Sequence, residues 1–337
     1  MKKRPQFLIV VVTLTLVMLA CTCNFTERFS LPVAEIGPTA TSEATATATQ
    51  AATYTPDVEP TETQLPEPTD AEPTPTEPLP TEPPTPTPEP TLGIGSTMIN
   101  PIDGAPLVYV PEGAFQKGSE DFEDWSYAEE LPQQVYLEAY WIYQHPVTNA
   151  QFAAFVEDSG YQTTAEAAGW NVVWDGSTYV DKEGYSWAAP YGPGSSVEGR
   201  EDHPVVFVNG TDAEAYCQWA GGRLPTEAEW EKAARGTDDR TFPWGEESPT
   251  CSLANFRGCV DDTSPVGSYP LGASPYGALD MAGNVSEWVV EWITESHHVW
   301  RGGSWDSGQD DLRVFQRSWI DPVEMHTGRG FRCLHLP

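Results

Sequence analysis

The chain has 337 residues, of which 17 are Lys or Arg and 50 are Asp or Glu, and its formal net charge is −33. So acidic a chain would be repelled by the phosphate backbone of a nucleic acid, which argues against nucleic-acid binding. The charge is compatible with divalent cations or a basic partner, and the length allows one or two domains.

The N-terminus has the features of an export signal. A basic start at residues 2–4 precedes an apolar run from Phe7 to Ala20, which is too short and wrongly flanked for a membrane span. The run ends at Ala20-Cys21, which resembles a bacterial lipoprotein cleavage site. We therefore predict a lipoprotein signal over 1–21 and an exported protein anchored in the cell-surface membrane through lipidated Cys21. Plain secretion is the alternative.

Residues 22–104 are rich in Thr, Pro and Glu, with repeats at 73–78 and 84–90. Frequent proline prevents helix and sheet formation. No Lys or Arg lies between Arg28 and Lys117 to neutralise the acidic residues, which therefore repel one another. We predict a disordered, extended stalk here, followed by a folded domain over 105–337.

Apolar patterns within the domain predict several strands. Residues 107–111 form a short apolar run that predicts a strand, with a turn after it at 113–115. Residues 135–142 alternate as a strand with one buried face would, and residues 202–208 lead into a further strand. The segment 160–202 is rich in aromatic residues and glycine, and we predict loops there.

Three helices are predicted from their N-terminal signatures. Thr148, Thr211 and Thr226 are each followed three residues later by Gln or Glu, the spacing of a capping box. The third helix carries three acidic residues that could be mistaken for catalytic carboxylates: Glu227, Glu229 and Glu231. Negative charge is favoured at a helix N-terminus, so we assign two of them to that role.

The stretch 276–288, Tyr-Gly-Ala-Leu-Asp-Met-Ala-Gly-Asn-Val-Ser-Glu-Trp, is dense in residues with special properties. Asp280 and Glu287 supply carboxylates, and glycines allow tight turns beside them. Carboxylates and carbonyls that converge on a tight turn suit a hard cation such as Ca²⁺. A glycine turn before a buried strand is an equal alternative.

Three motifs occur in a fixed order, namely 223–231, 280–288 and Gly330-Phe331-Arg332-Cys333. Together they resemble the sulfatase-modifying-factor family, which includes the formylglycine-generating enzymes, over roughly residues 105–337. The resemblance implies an irregular, loop-rich α+β fold related to C-type lectins, with little regular secondary structure and with structural Ca²⁺.

The same resemblance implies ligands for two Ca²⁺ sites. The first site takes two side chains and two backbone carbonyls, from Asp280, Glu287, Gly283 and Val285. The second takes Asn255 and the carbonyl of Phe256, with Asp261 or Asp262 as its acidic ligand.

Cysteine usage agrees with an exported setting. Apart from Cys21 and Cys23 the chain has four cysteines, Cys217, Cys251, Cys259 and Cys333. An even number in an exported domain suggests two disulfides, for which the sequence allows three pairings. The family resemblance favours Cys217 with Cys333, which leaves Cys251 with Cys259.

The resemblance also implies what catalysis would require. Formylglycine-generating enzymes oxidise a Cys of a target sulfatase with O₂, and they need two cysteines after Arg-Gly-Gly-Ser because thiolates bind Cu(I). Here Ser307 and Leu312 occupy those positions. We therefore expect no copper and no formylglycine generation. An iron-dependent branch of the superfamily uses a histidine triad, and the six histidines of this chain lack that spacing.

Ligand-binding proteins of the same fold use the segment between Arg-Gly-Gly-Ser-Trp and Gly-Phe-Arg, and this chain has that frame from Arg301 to Arg332. Exposed aromatic and polar side chains make a good recognition surface. The predicted ligand-binding residues are Trp305, Asp306, Ser307, Gln309, Phe315, Gln316 and Trp319. We expect a domain that binds an extracellular protein or glycan. A formylglycine-type oxidase and a structural part of an envelope complex are the alternatives.

Overall fold

The computed structural model describes residues 92–119, 132–174, 178–294, 297–320 and 325–337. All of these belong to the compact unit Pro83–Pro337. The predicted signal over 1–21, its lipidation residue Cys21 and most of the predicted stalk lie outside the described residues. Within the described ranges, no helix combines the length and the apolarity that crossing a bilayer requires.

Twelve strands and four helices are connected by long irregular segments in the described residues, which confirms the predicted α+β class. The strands are β1 (Thr97–Ile99), β2 (Pro106–Val110), β3 (Gly113–Lys117), β4 (Gln133–Leu137), β5 (Tyr140–Tyr143), β6 (Trp170–Trp174), β7 (Tyr179–Glu183), β8 (Ser286–Thr294), β9 (His297–Arg301), β10 (Arg317–Ile320), β11 (Arg329–Gly330) and β12 (Leu334–His335). The helices are α1 (Asn149–Ser159), α2 (Thr164–Ala168), α3 (Gly210–Trp219) and α4 (Glu227–Arg235).

The strands form two four-stranded sheets and two separate pairs. The first sheet has the order β1-β2-β5-β12 with antiparallel neighbours, and the second has the order β10-β9-β8-β11, in which β11 runs parallel to β8. Strands β3 and β4 pair with each other, as do β6 and β7. The first sheet includes Thr97–Ile99, which lie ahead of the predicted domain start at 105.

Several predicted strands and loops differ from the structure. The segment 135–142 is divided between β4 and β5, which pair with different partners, so its alternation belongs to two strands. The predicted turn at 113–115 is part of β3. No strand forms over 202–208, apart from a single bridge at Pro204. The predicted loop region 160–202 contains α2 and the β6–β7 pair.

The helix starts follow local hydrogen bonding. Thr148 and Thr226 form the predicted capping boxes with Gln151 and Glu229. Helix α3 begins earlier than predicted, because Asn209 and Asp212 form its capping box in place of Thr211 and Glu214. An asparagine caps a helix as well as serine or aspartate does. The spacing of Thr211 and Glu214 also matches a capping box, so the helix start was predicted two residues too late.

The core has two main clusters. The first surrounds α1 and α3, where the rings of Phe152, Tyr216 and Phe331 meet at centroid distances between 5.4 and 6.3 Å. The predicted Cys217–Cys333 disulfide lies in this cluster, and both sulfurs are fully buried. The second cluster packs Trp230 of α4 with residues of both four-stranded sheets, including Ile142 of β5 and Val299 of β9. These clusters fix the sheet and the helix that support the site described next.

Candidate functional site

The Arg301-Gly302-Gly303-Ser304 segment leaves β9 and builds the wall of a cleft. Arg301 is fully buried and forms an ion pair with Glu231 of α4. Gly302 and Gly303 have φ values of 91° and 64°, which favour glycine. A Cβ at Gly302 would lie 2.9 Å from the Trp230 ring, so the chain can turn this closely only without a side chain.

The cleft has a volume of about 540 Å³. Strands β8, β9 and β10, the loop after β9 and the segment before β11 supply most of its walls. Its lining residues are Arg257, Ser286, Trp300, Ser304, Asp306, Ser307, Asp311, Gln316, Arg317, Ser318, Trp319, His326, Gly328 and Arg329. Guanidinium, indole, hydroxyl and carboxylate groups therefore face one space.

Four of the seven predicted ligand-binding residues line the cleft, namely Asp306, Ser307, Gln316 and Trp319. The other three lie beside it, and the structure gives each a different partner. Trp305 is half-buried, donates to the carbonyl of Thr327 and stacks on His326. Gln309 donates to the carbonyl of Pro249.

Phe315 is not among the lining residues of the cleft. Its ring packs beneath the guanidinium of Arg235, 5.6 Å from the ring centroid. A guanidinium over an aromatic face is a favourable contact. Phe315 therefore packs against α4.

The two positions at which the family resemblance expects cysteine have different surroundings in this structure. Ser307 lines the cleft, whereas Leu312 is fully buried. Leu312 packs in an apolar cluster with Phe242, Phe256 and Ala282. All four cysteines of the described residues are paired, as Cys217–Cys333 and Cys251–Cys259. The cleft is therefore lined by hydroxyl groups and has no thiol among its lining residues.

A serine, an aspartate and a histidine also meet in the cleft. Ser304 donates its hydroxyl to Asp306, and the His326 Nε2 lies 3.4 Å from the same carboxylate. The His326 Nδ1 accepts from the backbone N–H of Gly328, so the neutral ring carries its proton on Nε2. Burial lowers the pKa of His326. The imidazole therefore has no free acceptor for a serine proton, and the cluster differs from a nucleophile–base pair.

Arg317 is held in the cleft wall by contacts with α4. It forms an ion pair with Glu227 of α4 at 2.9 Å, and the same carboxylate lies 3.3 Å from Lys117. Glu229 pairs with Arg223 and closes the helix cap. Glu231 pairs with Arg301, so all three acidic residues of α4 have structural partners.

The first predicted Ca²⁺ site does not fit at Glu287. Both carboxylate oxygens are bonded to Arg332, at 2.6 and 2.7 Å, and one also accepts from the Trp230 indole at 2.8 Å. Glu287 and Arg332 are fully buried. A cation beside this guanidinium would be repelled. Asp280 is buried as well, and one of its oxygens accepts from the Gly267 N–H at 2.6 Å.

The second predicted site fits better, at Asn255. Its amide nitrogen donates to the carbonyl of Asp262, but its Oδ1 is buried without a hydrogen-bond partner. The Phe256 carbonyl accepts from the N–H of Cys259. The carboxylate of Asp262 is bonded to Arg200 and Tyr191, which leaves Asp261 of the two predicted acidic ligands. No group of three or more His, Cys, Asp or Glu that could hold a metal occurs in the described ranges, so carbonyls would have to complete either site.

Several cleft residues were outside the sequence prediction, chiefly Arg257, Trp300 and Arg329. Trp300 directly precedes the recognised Arg-Gly-Gly-Ser segment, so extending that segment by one residue would have included it. Arg257 lies inside the Cys251–Cys259 loop, remote in sequence from the rest of the cleft, and no local pattern identifies it.

Comparison with known proteins matches residues 98–336 to the sulfatase-modifying factor enzyme 1-like domain. A formylglycine-generating enzyme of Thermomonospora curvata is 36% identical over 283 residues, covering 68% of this chain and 93% of that protein. A bovine protein named inactive Cα-formylglycine-generating enzyme 2 is 33% identical over 263 residues, covering 67% of this chain and 87% of that protein.

Among solved structures, PvdO from Pseudomonas aeruginosa superposes with a TM-score of 0.58 at 25% identity, covering 73% of this chain and all of PvdO. Fold, motif order and sequence identity agree. The chain therefore belongs to the family of sulfatase-modifying factor enzyme 1-like domains, which includes formylglycine-generating enzymes.

Proposed function

We propose that this domain binds a ligand in the cleft and does not generate formylglycine. The main support for this proposal is that neither expected cysteine position holds a cysteine. Ser307 lies in the cleft wall, and Leu312 is packed in the core. Neither side chain supplies the thiolate that Cu(I) requires. The described cysteines are all in disulfides, so none of them is free to substitute.

Membership of the family is compatible with this proposal. The bovine relative, which is 33% identical, is named inactive, whereas the Thermomonospora relative is named a formylglycine-generating enzyme. The domain can therefore be retained without the activity.

The cleft favours a polypeptide over a glycan as ligand. Sugars bind proteins largely by stacking on open aromatic faces. Here the guanidinium of Arg329 lies over the Trp300 ring at 5.4 Å, and that of Arg317 lies over Trp319 at 6.0 Å. These contacts cover part of the indole surface, while hydroxyl, amide and guanidinium groups remain to bond a peptide backbone and its side chains.

We also propose where the protein is located. The apolar run before Cys21 supports a lipid-anchored protein outside the cytoplasm, with the Thr/Pro/Glu-rich segment 22–104 as its stalk. Structural Ca²⁺ is part of the same proposal, supported at Asn255 by the buried Oδ1 without a partner.

Oxidation of a Cys-containing sulfatase peptide tests the proposal that the protein does not generate formylglycine. The full chain is incubated with Cu(I) and O₂, with the Thermomonospora enzyme as positive control, and product is measured by mass spectrometry. We expect no product and no stoichiometric copper. The double variant Ser307→Cys, Leu312→Cys, which restores both thiols, should gain copper binding. Formylglycine made by the unaltered chain would overturn the proposal.

Binding is tested on the same protein with two probes. A displayed random heptapeptide library and a glycan array are each exposed to the full chain. Selected peptides with no bound glycan support the polypeptide proposal. Glycans without peptides would correct the ligand class, and failure of both probes would count against a binding function.

A further inference from the structure

Arg257 is presented to the cleft by a short closed loop. The Cys251–Cys259 disulfide joins residues eight apart in sequence, and the Cys259 N–H bonds to the Phe256 carbonyl. The Asn255 carbonyl accepts from the N–H of Asn284, which fixes the same loop to the turn at 283–284. Gly283 makes this approach possible, because a Cβ there would overlap the Asn255 carbonyl. The loop is thus held on both sides of Arg257.

The side chain of Arg257 is itself oriented. Its backbone N–H donates to the Ser307 carbonyl at 3.1 Å, and its Nε donates to the Asp306 carbonyl at 2.8 Å. The second of these bonds uses the inner nitrogen of the guanidinium. The two terminal nitrogens of Arg257 have no hydrogen bond or ion pair with the described part of the chain, and the residue is exposed. The group therefore projects into the cleft with two donors available.

The other charged groups of the cleft already have partners. Arg317 is paired with Glu227, and Arg329 stacks on Trp300. The Asp306 carboxylate lies against Ser304 and His326. Asp311, the other acidic lining residue, accepts from the Gly308 N–H. Burial raises the pKa of Asp311, and the charge of Arg257 acts in the opposite direction.

The lining therefore contains three arginines and two aspartates in a chain whose net charge is −33. The chain as a whole is strongly acidic, whereas the lining of the cleft carries one more Arg than Asp. A guanidinium with two parallel donors matches the two oxygens of a carboxylate better than it matches a neutral group.

We infer that the cleft selects acidic polypeptide segments, and that the terminal nitrogens of Arg257 bind the side-chain carboxylate of an Asp or Glu in the ligand. This inference rests on the proposed peptide-binding function and adds its specificity. Ser307 and Gln316 line the same cleft as Arg257. We assign to them the hydrogen bonds with the peptide groups next to the bound carboxylate.

The first test uses the full chain and random heptapeptides with blocked C-termini, so that only side chains supply carboxylates. The expected result is enrichment of Asp or Glu at one position of the selected peptides. Selected peptides without that enrichment overturn the inference and leave the peptide-binding function standing. Absence of any selected peptide overturns both.

The second test measures affinity by fluorescence polarisation for one selected peptide and for its Asp→Asn or Glu→Gln counterpart. Arg257→Gln should weaken binding of the acidic peptide about tenfold, the effect of losing a charged hydrogen bond. It should leave the affinity for the amide counterpart nearly unchanged. Added salt should weaken the acidic peptide more than the amide one, because the site is exposed.

Arg240→Gln is the matched control. It removes the same charge from the chain, but Arg240 is bonded to Asp238 and is not a lining residue of the cleft. Equal weakening by both variants would overturn the inference in favour of a general charge effect. Equal loss of both peptides with Arg257→Gln would also overturn it. Thermal unfolding of each variant confirms that the domain remains folded.

Discussion

Asp280 shows what burial does to a single carboxyl group in this fold. It is buried in a left-handed turn with φ of 54°, and it accepts from the Gly267 N–H. Burial raises its pKa from the ordinary value of 3.8 to about 6, although the Gly267 hydrogen bond and the charge of Arg332 act in the opposite direction. A bound cation would favour the charged form and lower this pKa.

Asp280 should therefore make stability depend on pH when Ca²⁺ is absent. Because its folded pKa of about 6 exceeds its unfolded value of 3.8, its contribution is complete below pH 3.8 and is lost as pH rises through 6. The loss is about 3 kcal/mol in the free energy of unfolding. Urea denaturation from pH 3.5 to 7 with EGTA measures it.

Asp280→Asn is the comparison for this measurement, since burial also raises the pKa of other carboxyl groups, including Asp212 and Glu291. The difference between the two pH profiles isolates the aspartate. If the profiles run parallel, the buried carboxyl does not titrate as inferred. Added Ca²⁺ should flatten the wild-type profile only if Asp280 is a ligand.

At the level of elements, the pair of Glu287 and Arg332 fastens β8 to the C-terminal segment. Arg332 also donates to the backbone carbonyls of Tyr143, Gln144 and Leu279. The guanidinium thus joins β5, the turn before β8 and β8 itself. Arg332 therefore forms an internal ion pair, and its partner is the residue that the resemblance had assigned to Ca²⁺.

Glu287→Gln should destabilise the domain strongly. The change leaves the buried Arg332 charge uncompensated, for which a loss of about 3–5 kcal/mol is expected. Asp310→Asn is the control, because the Arg313–Asp310 pair is partly exposed and should contribute less than about 1 kcal/mol. Equal unfolding midpoints for the two variants in urea would show that Glu287 is not in a buried ion pair.

The sequence located helices better than strands. A capping box is a local pattern, so Thr148 and Thr226 could be recognised from residues three apart. Pairing of strands depends on distant partners. The run 135–142 could not reveal that β4 pairs with β3 while β5 lies between β2 and β12.

The cleft was predictable only in part, for a related reason. Asp306, Ser307, Gln316 and Trp319 follow a recognisable motif, and the structure brings them together. Arg257 reaches the same space through a disulfide-closed loop about fifty residues earlier in the sequence. Its role depends on contacts between the loop and the 306–307 backbone, which no spacing rule contains.

At the scale of the whole molecule, the two disulfides of the described residues constrain very different lengths of chain. Cys217–Cys333 closes a separation of 116 residues, and Cys251–Cys259 closes one of eight. The first is fully buried in the aromatic core, whereas Cys251 is exposed. The long closure therefore has the larger effect on the entropy of the unfolded chain.

Removing each disulfide by paired Cys→Ala changes should reveal this difference. Loss of Cys217–Cys333 should lower the free energy of unfolding by about 5 kcal/mol, and loss of Cys251–Cys259 by about 2.5 kcal/mol, on the loop-entropy model. Equilibrium denaturation under non-reducing conditions measures both. The reverse order would mean that local strain or structure in the unfolded chain outweighs loop length.

The long disulfide has a consequence for proteolysis. Every residue that lines the cleft lies between Cys217 and Cys333 in the sequence. A protease that cuts one peptide bond anywhere in this segment produces two fragments that remain covalently joined. Release of the cleft-bearing segment needs a second cut between the two cysteines, or reduction of the disulfide after the first cut. A single nick in an exposed loop therefore leaves every cleft residue attached to the domain.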